Sequence, residues 1–144
     1  MSIYNNFSEK DFEYWIFQMD DKLVSFISSL YGDIKTHLDY SIESLKNVEE
    51  WLINTYKTPE AIDAMHRAIT VDGFCRYIGE VFRKKIGGHW DMSFQNERII
   101  EAGPFLTGFK TNETKIHPYE LMKKALQEKS GNFLKSQLQS ISEK

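Results

Sequence analysis

The feature that most constrains this chain is a change of hydrophobic period at Gly87-Gly88. Before it, apolar residues recur every three or four positions. After it, His89 to Phe94 alternates, with Trp90, Met92 and Phe94 on one side and His89, Asp91 and Ser93 on the other. The first spacing is that of an amphipathic helix and the second that of a half-buried strand. A chain with both periods in series folds as α+β. The expected architecture is about five helices with a small antiparallel β-sheet between the third and fourth helices. It is a single domain over residues 1–144, a length that suits one core.

The first helix is expected over about residues 8–31. Ser8 is its N-cap, and Asp11 three residues on completes a near capping box. Phe12, Trp15, Ile16, Met19, Leu23, Phe26, Ile27 and Leu30 form one broad stripe, and Gly32 ends it. Residues 34–38 read as a short extended piece. The second helix, about 41–56, turns Leu45, Val48, Leu52 and Tyr56 inward and leaves Glu43, Lys46, Glu49 and Glu50 mostly outside. Thr58-Pro59-Glu60 opens a third helical stretch that runs to Ile86. Its apolar face shifts by more than about 90° near residues 70–73, and with a glycine there a break or kink is expected. Residues 95–98 and 111–114 read as turns, 99–102 and 105–109 as extended returns. Pro118 starts a helix that reaches about Lys129, and a last helix carries Phe133, Leu134, Leu138 and Ile141. The core is expected on the 74–86 helix, packed by the first two helices and by the alternating strand.

Charge is uneven along the chain. Residues 1–72 carry 6 Lys/Arg against 13 Asp/Glu, a net of −7, and residues 73–144 carry 12 against 8, a net of +4. An acidic half suits a basic protein partner. No basic run favours nucleic acid. The polar face of the first helix is Glu9, Asp11, Glu13, Asp20 and Asp21, which anionic lipid repels, so a membrane-surface role is rejected. The apolar runs are short, no secretory signal opens the chain, and the single cysteine, Cys75, suits a reducing compartment. A soluble cytoplasmic protein is expected.

Residue types that react are scattered. His37, His66, His89 and His117 share no ligand spacing, so no metal and no cofactor is expected. Cys75 sits on an apolar arc, where a thiol is a small core group. Asp20-Asp21 and Glu49-Glu50 are adjacent pairs whose side chains diverge by about 100° on a helix, so neither is a dyad. No nucleophile elbow or phosphate-binding glycine loop occurs. Glu80 has Arg76 four residues before it, Arg83 three after and Lys84 four after. That spacing fits a solvated, salt-laced helix face. The alternative is a small-ligand-binding or hydrolytic domain with a cleft near Glu80, His89 and Asp91. Gly79, beside the apolar arc, leaves room for another backbone to approach.

Tyr77-x-Gly79-Glu80, a basic spacer and Gly87-Gly88-x-Trp90 before a strand form a further pattern, with Leu38 to Leu45 upstream and His117-Pro118-Tyr119 downstream. Together these blocks, spanning about residues 38–126, resemble a pattern found in small uncharacterised bacterial domains. Some of those look like immunity or accessory proteins of bacterial toxin systems. The resemblance implies protein binding rather than catalysis and carries over no catalytic residue.

Aromatic side chains are in surplus on the first helix. Phe12 and Trp15 match its inner stripe, whereas Tyr14 and Phe17 fall outside. Loops or the last helix are expected to cover them. Left uncovered, they form an interface patch with Tyr4 and Phe7, since aromatics dominate binding hot spots. The function expected is therefore a non-enzymatic protein-binding module, monomer or homodimer, more an interaction protein than an enzyme. Its candidate partner-binding residues are Tyr14, Phe17, Tyr77, Glu80, His89 and Asp91. Replacing Trp90 by alanine is expected to cost about 3–5 kcal/mol in a urea melt if the alternating strand feeds the core; a loss under about 1 kcal/mol would place Trp90 outside it.

Overall fold

The computed structural model describes residues 2–109 and 114–143. Among them the chain forms eight α-helices, two short 3-10 turns and a two-stranded antiparallel sheet. The helices are α1 (Glu9–Phe17), α2 (Met19–Ser29), α3 (Ile34–His37), α4 (Ser44–Thr55), α5 (Ala68–Ile86), α6 (Glu97–Glu101), α7 (Pro118–Glu128) and α8 (Phe133–Ser142). The strands are β1 (His89–Asp91) and β2 (Phe105–Thr107), so the sheet follows the fifth helix rather than the third. The register pairs His89 with Thr107, Trp90 with Leu106 and Asp91 with Phe105. Leu106 also bridges Ile116, with both backbone hydrogen bonds formed, at 2.8 and 2.9 Å.

The expected first helix is two helices meeting at Gln18, whose backbone (φ −86°, ψ 4°) interrupts the helical course. The Ser8 cap forms as a full capping box: Ser8 Oγ accepts from the Asp11 backbone N–H at 3.1 Å, and an Asp11 oxygen accepts from the Ser8 N–H at 3.0 Å. Residues 34–37 are a helical turn, not an extended piece. The break expected at 70–73 lies earlier, in the 3-10 turns Pro59–Asp63 and Met65–Arg67, and α5 then runs unbroken for 19 residues. Gly73 does not break the helix because it serves packing: a Cβ there would sit 2.1 Å from the Phe26 ring. Missing side-chain volume lets α2 approach α5 closely, and tertiary contact overrides helix propensity. Residues 97–101, read as the end of a turn and the start of a return, form α6, because Asn96 caps it by accepting the Ile99 N–H at 3.0 Å. The turn expected at 111–114 lies outside the described residues save for Thr114.

The core is centred on α5, which is buried from Val71 to Phe82 apart from Asp72. It packs on α2 along one side and on α7 and α8 along another, while α4 completes the layer against α7 and α8. One hydrophobic cluster runs from Tyr4 to Leu138. Phe74 joins two sides of it, 4.8 Å from the Phe26 ring and 4.8 Å from Trp51. No helix among the described residues is long and apolar enough to cross a membrane.

Glu49 departs most from its expected position. Read as an outward residue, it is fully buried, and its two oxygens accept the N–H groups of Phe133 and Leu134 at 3.1 and 2.8 Å. Those are orphan donors of the first turn of α8, whose own N-cap, Asn132, makes no side-chain capping bond. A carboxylate at a helix N-terminus also meets the positive end of the dipole.

Gly79 receives not a backbone but the Trp90 indole, 1.9 Å from where a Cβ would stand. The structure predicts that Gly79→Ala destabilises the fold by about 1–3 kcal/mol, the range for overpacking a filled site. A urea midpoint unchanged by the substitution would contradict the contact.

Candidate functional site

Three features surround the bend between α1 and α2. The first is the Glu80 carboxylate on α5. It is only 6% exposed, so it does not belong to a solvated face. Arg83 grips it with two hydrogen bonds, Nε to Oε2 at 2.9 Å and Nη2 to Oε1 at 3.0 Å, and the Trp90 indole N–H donates to Oε2 at 2.9 Å. Gly79 leaves the space, Trp90 lies in it, and Glu80 accepts the indole proton one residue along. The indole edge then meets the Trp15 ring, with centroids 4.9 Å apart and planes at 77°. The Gly79-Glu80 and Gly87-Gly88-x-Trp90 segments thus form one packing unit that ties β1 to α5 and α1. Of the other cations placed around Glu80 by spacing, Arg76 pairs with Asp72 and Lys84 sits over the Tyr40 ring at 5.2 Å.

Glu80, Arg83, His89 and Trp90 line a shallow cleft with Asp20 and Met19, of about 350 Å³. His89 is exposed at its edge. Asp91 does not join them. It opens on a neighbouring depression with His89 and Lys115, and its Oδ1 accepts the Met92 backbone N–H at 2.8 Å. Glu80 and Asp91 therefore line separate depressions, and both oxygens of Glu80 already serve donors of the chain. Glu80 is thus committed to Arg83 and Trp90, and the carboxylate that shares a depression with His89 is Asp91. Among the described residues no group of three or more His, Cys, Asp and Glu side chains is placed to hold a metal ion.

The second feature is buried. Tyr77, a candidate for partner contact, is fully enclosed: its hydroxyl donates to Ser44 Oγ at 2.8 Å and accepts the Tyr40 N–H at 2.9 Å. Its place is a link between α5 and the entry to α4, not a docking surface, because a side chain with no exposed area meets no partner. Nearby, Arg76 is 2% exposed and bound through Nε to Asp72 at 2.7 Å and through Nη1 to the Trp15 carbonyl at 2.8 Å. Asp72 also accepts the Tyr4 hydroxyl and the Trp15 indole N–H, each at 2.7 Å. The sequence offered Arg76 two carboxylates at four-residue spacing, Asp72 and Glu80, and only the placement of Trp15 and Trp90 decides between them.

The third feature is exposed. Tyr14 and Phe17, expected to be covered, are 61% and 84% exposed. Their rings stack with centroids 6.4 Å apart and planes 19° from parallel. Ile16 beside them is 37% exposed. Tyr4 is buried and Phe7 only partly exposed, so neither extends the patch as expected. No described element covers Tyr14 and Phe17, because α1 turns Trp15 to the core, and residues one before and two after it point away.

Other ionisable groups serve the fold. Tyr119 donates to Asp63, which also takes the Lys123 ammonium at 3.0 Å, and burial pushes the Tyr119 phenol up. Burial likewise raises the Cys75 thiol far above reactive range, and its sulfur lies 3.6 Å from that of Met122. His117 packs on Phe105 with centroids 4.9 Å apart.

Compared with known proteins, the chain matches no protein-family model, no curated protein and no solved structure.

Burial, and secondarily Lys115, holds His117 below its ordinary value of 6.5. The fold thus favours neutral imidazole. Its contribution is fully present above about pH 6.5 and is lost as pH falls from there towards the lowered folded value, because the unfolded chain takes up the proton first. Melting temperature is expected to drop between about pH 7 and pH 5, and His117→Phe, which keeps the ring contact, is expected to flatten that part of the profile. A profile identical in the variant would show that His117 is not the group responsible.

Proposed function

We propose that the protein is a non-enzymatic protein-binding module that presents the Tyr14–Phe17 surface of α1 to a basic protein partner. The observation that carries this reading is the exposed, stacked aromatic pair. Large rings left in water cost free energy that burial against a partner recovers, and paired aromatics are common hot spots. The surrounding charge adds direction: Glu9, Asp11, Glu13, Asp20 and Asp21 stand exposed on α1 and the start of α2, against Lys10 and Lys22. Such an excess of exposed carboxylates on the two helices favours a cationic surface and raises the association rate at low salt.

The setting we propose is a cytoplasmic immunity-like or accessory protein of a bacterial toxin system. It rests on the resemblance of the 38–126 blocks, whose residues serve packing here. Such a fold would hold α1 rigid while its outer face is free to contact a partner. The engagement of both Glu80 oxygens by Arg83 and Trp90 supports a packing role for that carboxylate.

The test is affinity capture from the native host with the wild-type chain and with Phe17→Ala and Tyr14→Ala variants, followed by kinetics on the captured partner. The substitutions are exposed, so stability should change by less than about 0.5 kcal/mol. Loss of a hot-spot ring should weaken the complex by about 30-fold, and the association rate of the wild type should fall steeply with ionic strength. A host that yields no stoichiometric partner, or one held equally by the variants, overturns the reading.

A further inference from the structure

A larger cleft lies on the opposite side of α2 from the Glu80 depression. It has a volume of about 530 Å³ and is walled mainly by apolar groups, among them Tyr4, Phe7, Trp15 and Phe26. That volume and character are those of small-molecule sites, roughly 300–1,000 Å³ with a few polar groups. Asp72 and Arg76 form part of its lining.

The Asp72–Arg76 pair in its wall is engaged in all but one place, whereas Gln18, Asp21, Lys22 and Ser25 stand around it. Asp72 Oδ1 accepts from Tyr4 and Trp15, and Oδ2 accepts from Arg76 Nε. Arg76 Nη1 serves the Trp15 carbonyl and lies 3.8 Å from the Met19 sulfur. Nη2 donates to no described residue. Yet Arg76 is 98% buried, and no described side-chain nitrogen or oxygen shut off from solvent lacks a partner. Nη2 is therefore open to solvent, and the cleft that Arg76 lines is its outlet. A buried guanidinium with its Nη2 unclaimed at an apolar cavity is a point of recognition for an oxygen acceptor.

The charges select further. Arg76 is neutralised by Asp72, and at the rim Asp21 is offset by Lys22. The cavity carries no net charge to attract an anion, and a cation entering it would face the guanidinium. We propose that this cleft binds an uncharged molecule with an aromatic body and a single oxygen acceptor, seated against Trp15 and Phe26 with the acceptor on Nη2 of Arg76. This site is separate from the Tyr14–Phe17 surface and stands or falls independently of the protein-binding reading.

The test uses the full chain and two probes of nearly equal shape, acetonaphthone, which has the carbonyl acceptor, and ethylnaphthalene, which lacks it. Changing the ligand rather than Arg76 leaves the buried ion pair intact. Acetonaphthone should move the Trp15 indole N–H resonance saturably in heteronuclear NMR. It should bind about tenfold tighter than ethylnaphthalene, the scale of one hydrogen bond to a charged donor. Ser25→Phe, at an exposed position on the rim, should fill the cleft and abolish both titrations without shifting the melting temperature. Absence of a saturable shift, equal affinity for the two probes, or binding unaffected by Ser25→Phe would each overturn the proposal.

Discussion

The Asp72 carboxylate fixes how the N-terminal quarter of the chain sits on the rest. It takes the hydroxyl of Tyr4, the indole N–H of Trp15 and the guanidinium of Arg76, and so joins the N-terminal segment, α1 and α5 at one point. Arg76 extends the link by donating to the Trp15 backbone and lying 4.2 Å over its ring. Burying a guanidinium is costly unless its charge and donors are met, and here a carboxylate, a carbonyl and an aromatic face meet most of them. Once α1 is held by Trp15 in this way, its outer side is fixed too. The exposure of Tyr14 and Phe17 is thus a consequence of the buried network, since helix geometry gives them no route inward.

The same logic explains the segment that looked most like chemistry. Glu80, between basic residues and near a histidine, has the spacing of an acid or a salt-laced surface. In the fold it anchors the Trp90 indole, which occupies the space left by Gly79 and reaches Trp15. Two carboxylates, the half-buried Asp72 and the buried Glu80, therefore flank the Trp15 ring, one binding its own N–H and the other binding its neighbour's. Glu49 repeats the theme at the far end of the core, where it caps α8 from inside. In all three cases an ionisable side chain stabilises the meeting of elements distant in sequence.

Much of the fold was legible because it is written in short-range terms. The Ser8–Asp11 capping box, the helix opened by Pro118, and the alternation of buried and exposed residues over His89–Met92 depend on neighbours within four residues, where spacing alone sets geometry. The candidate site was less legible. Gly73 reads as a helix breaker until Phe26 is seen filling its place. Tyr77 reads as a motif residue for contact until Ser44 and Tyr40 enclose its hydroxyl. The Asn96 cap that starts α6 was present in the sequence, a signal that the apolar run over 99–102 obscured.

What the sequence determined by itself was periodicity: where the long amphipathic helices run, where the period changes, and that Tyr14 and Phe17 lie off the inner stripe of their helix. The tertiary structure alone decided the partner of every buried charge. Arg76 had Asp72 and Glu80 at equal spacing, and Glu49 had no visible partner at all. Such choices depend on which distant ring or helix end arrives to exclude water, and a one-dimensional pattern holds no record of that arrival.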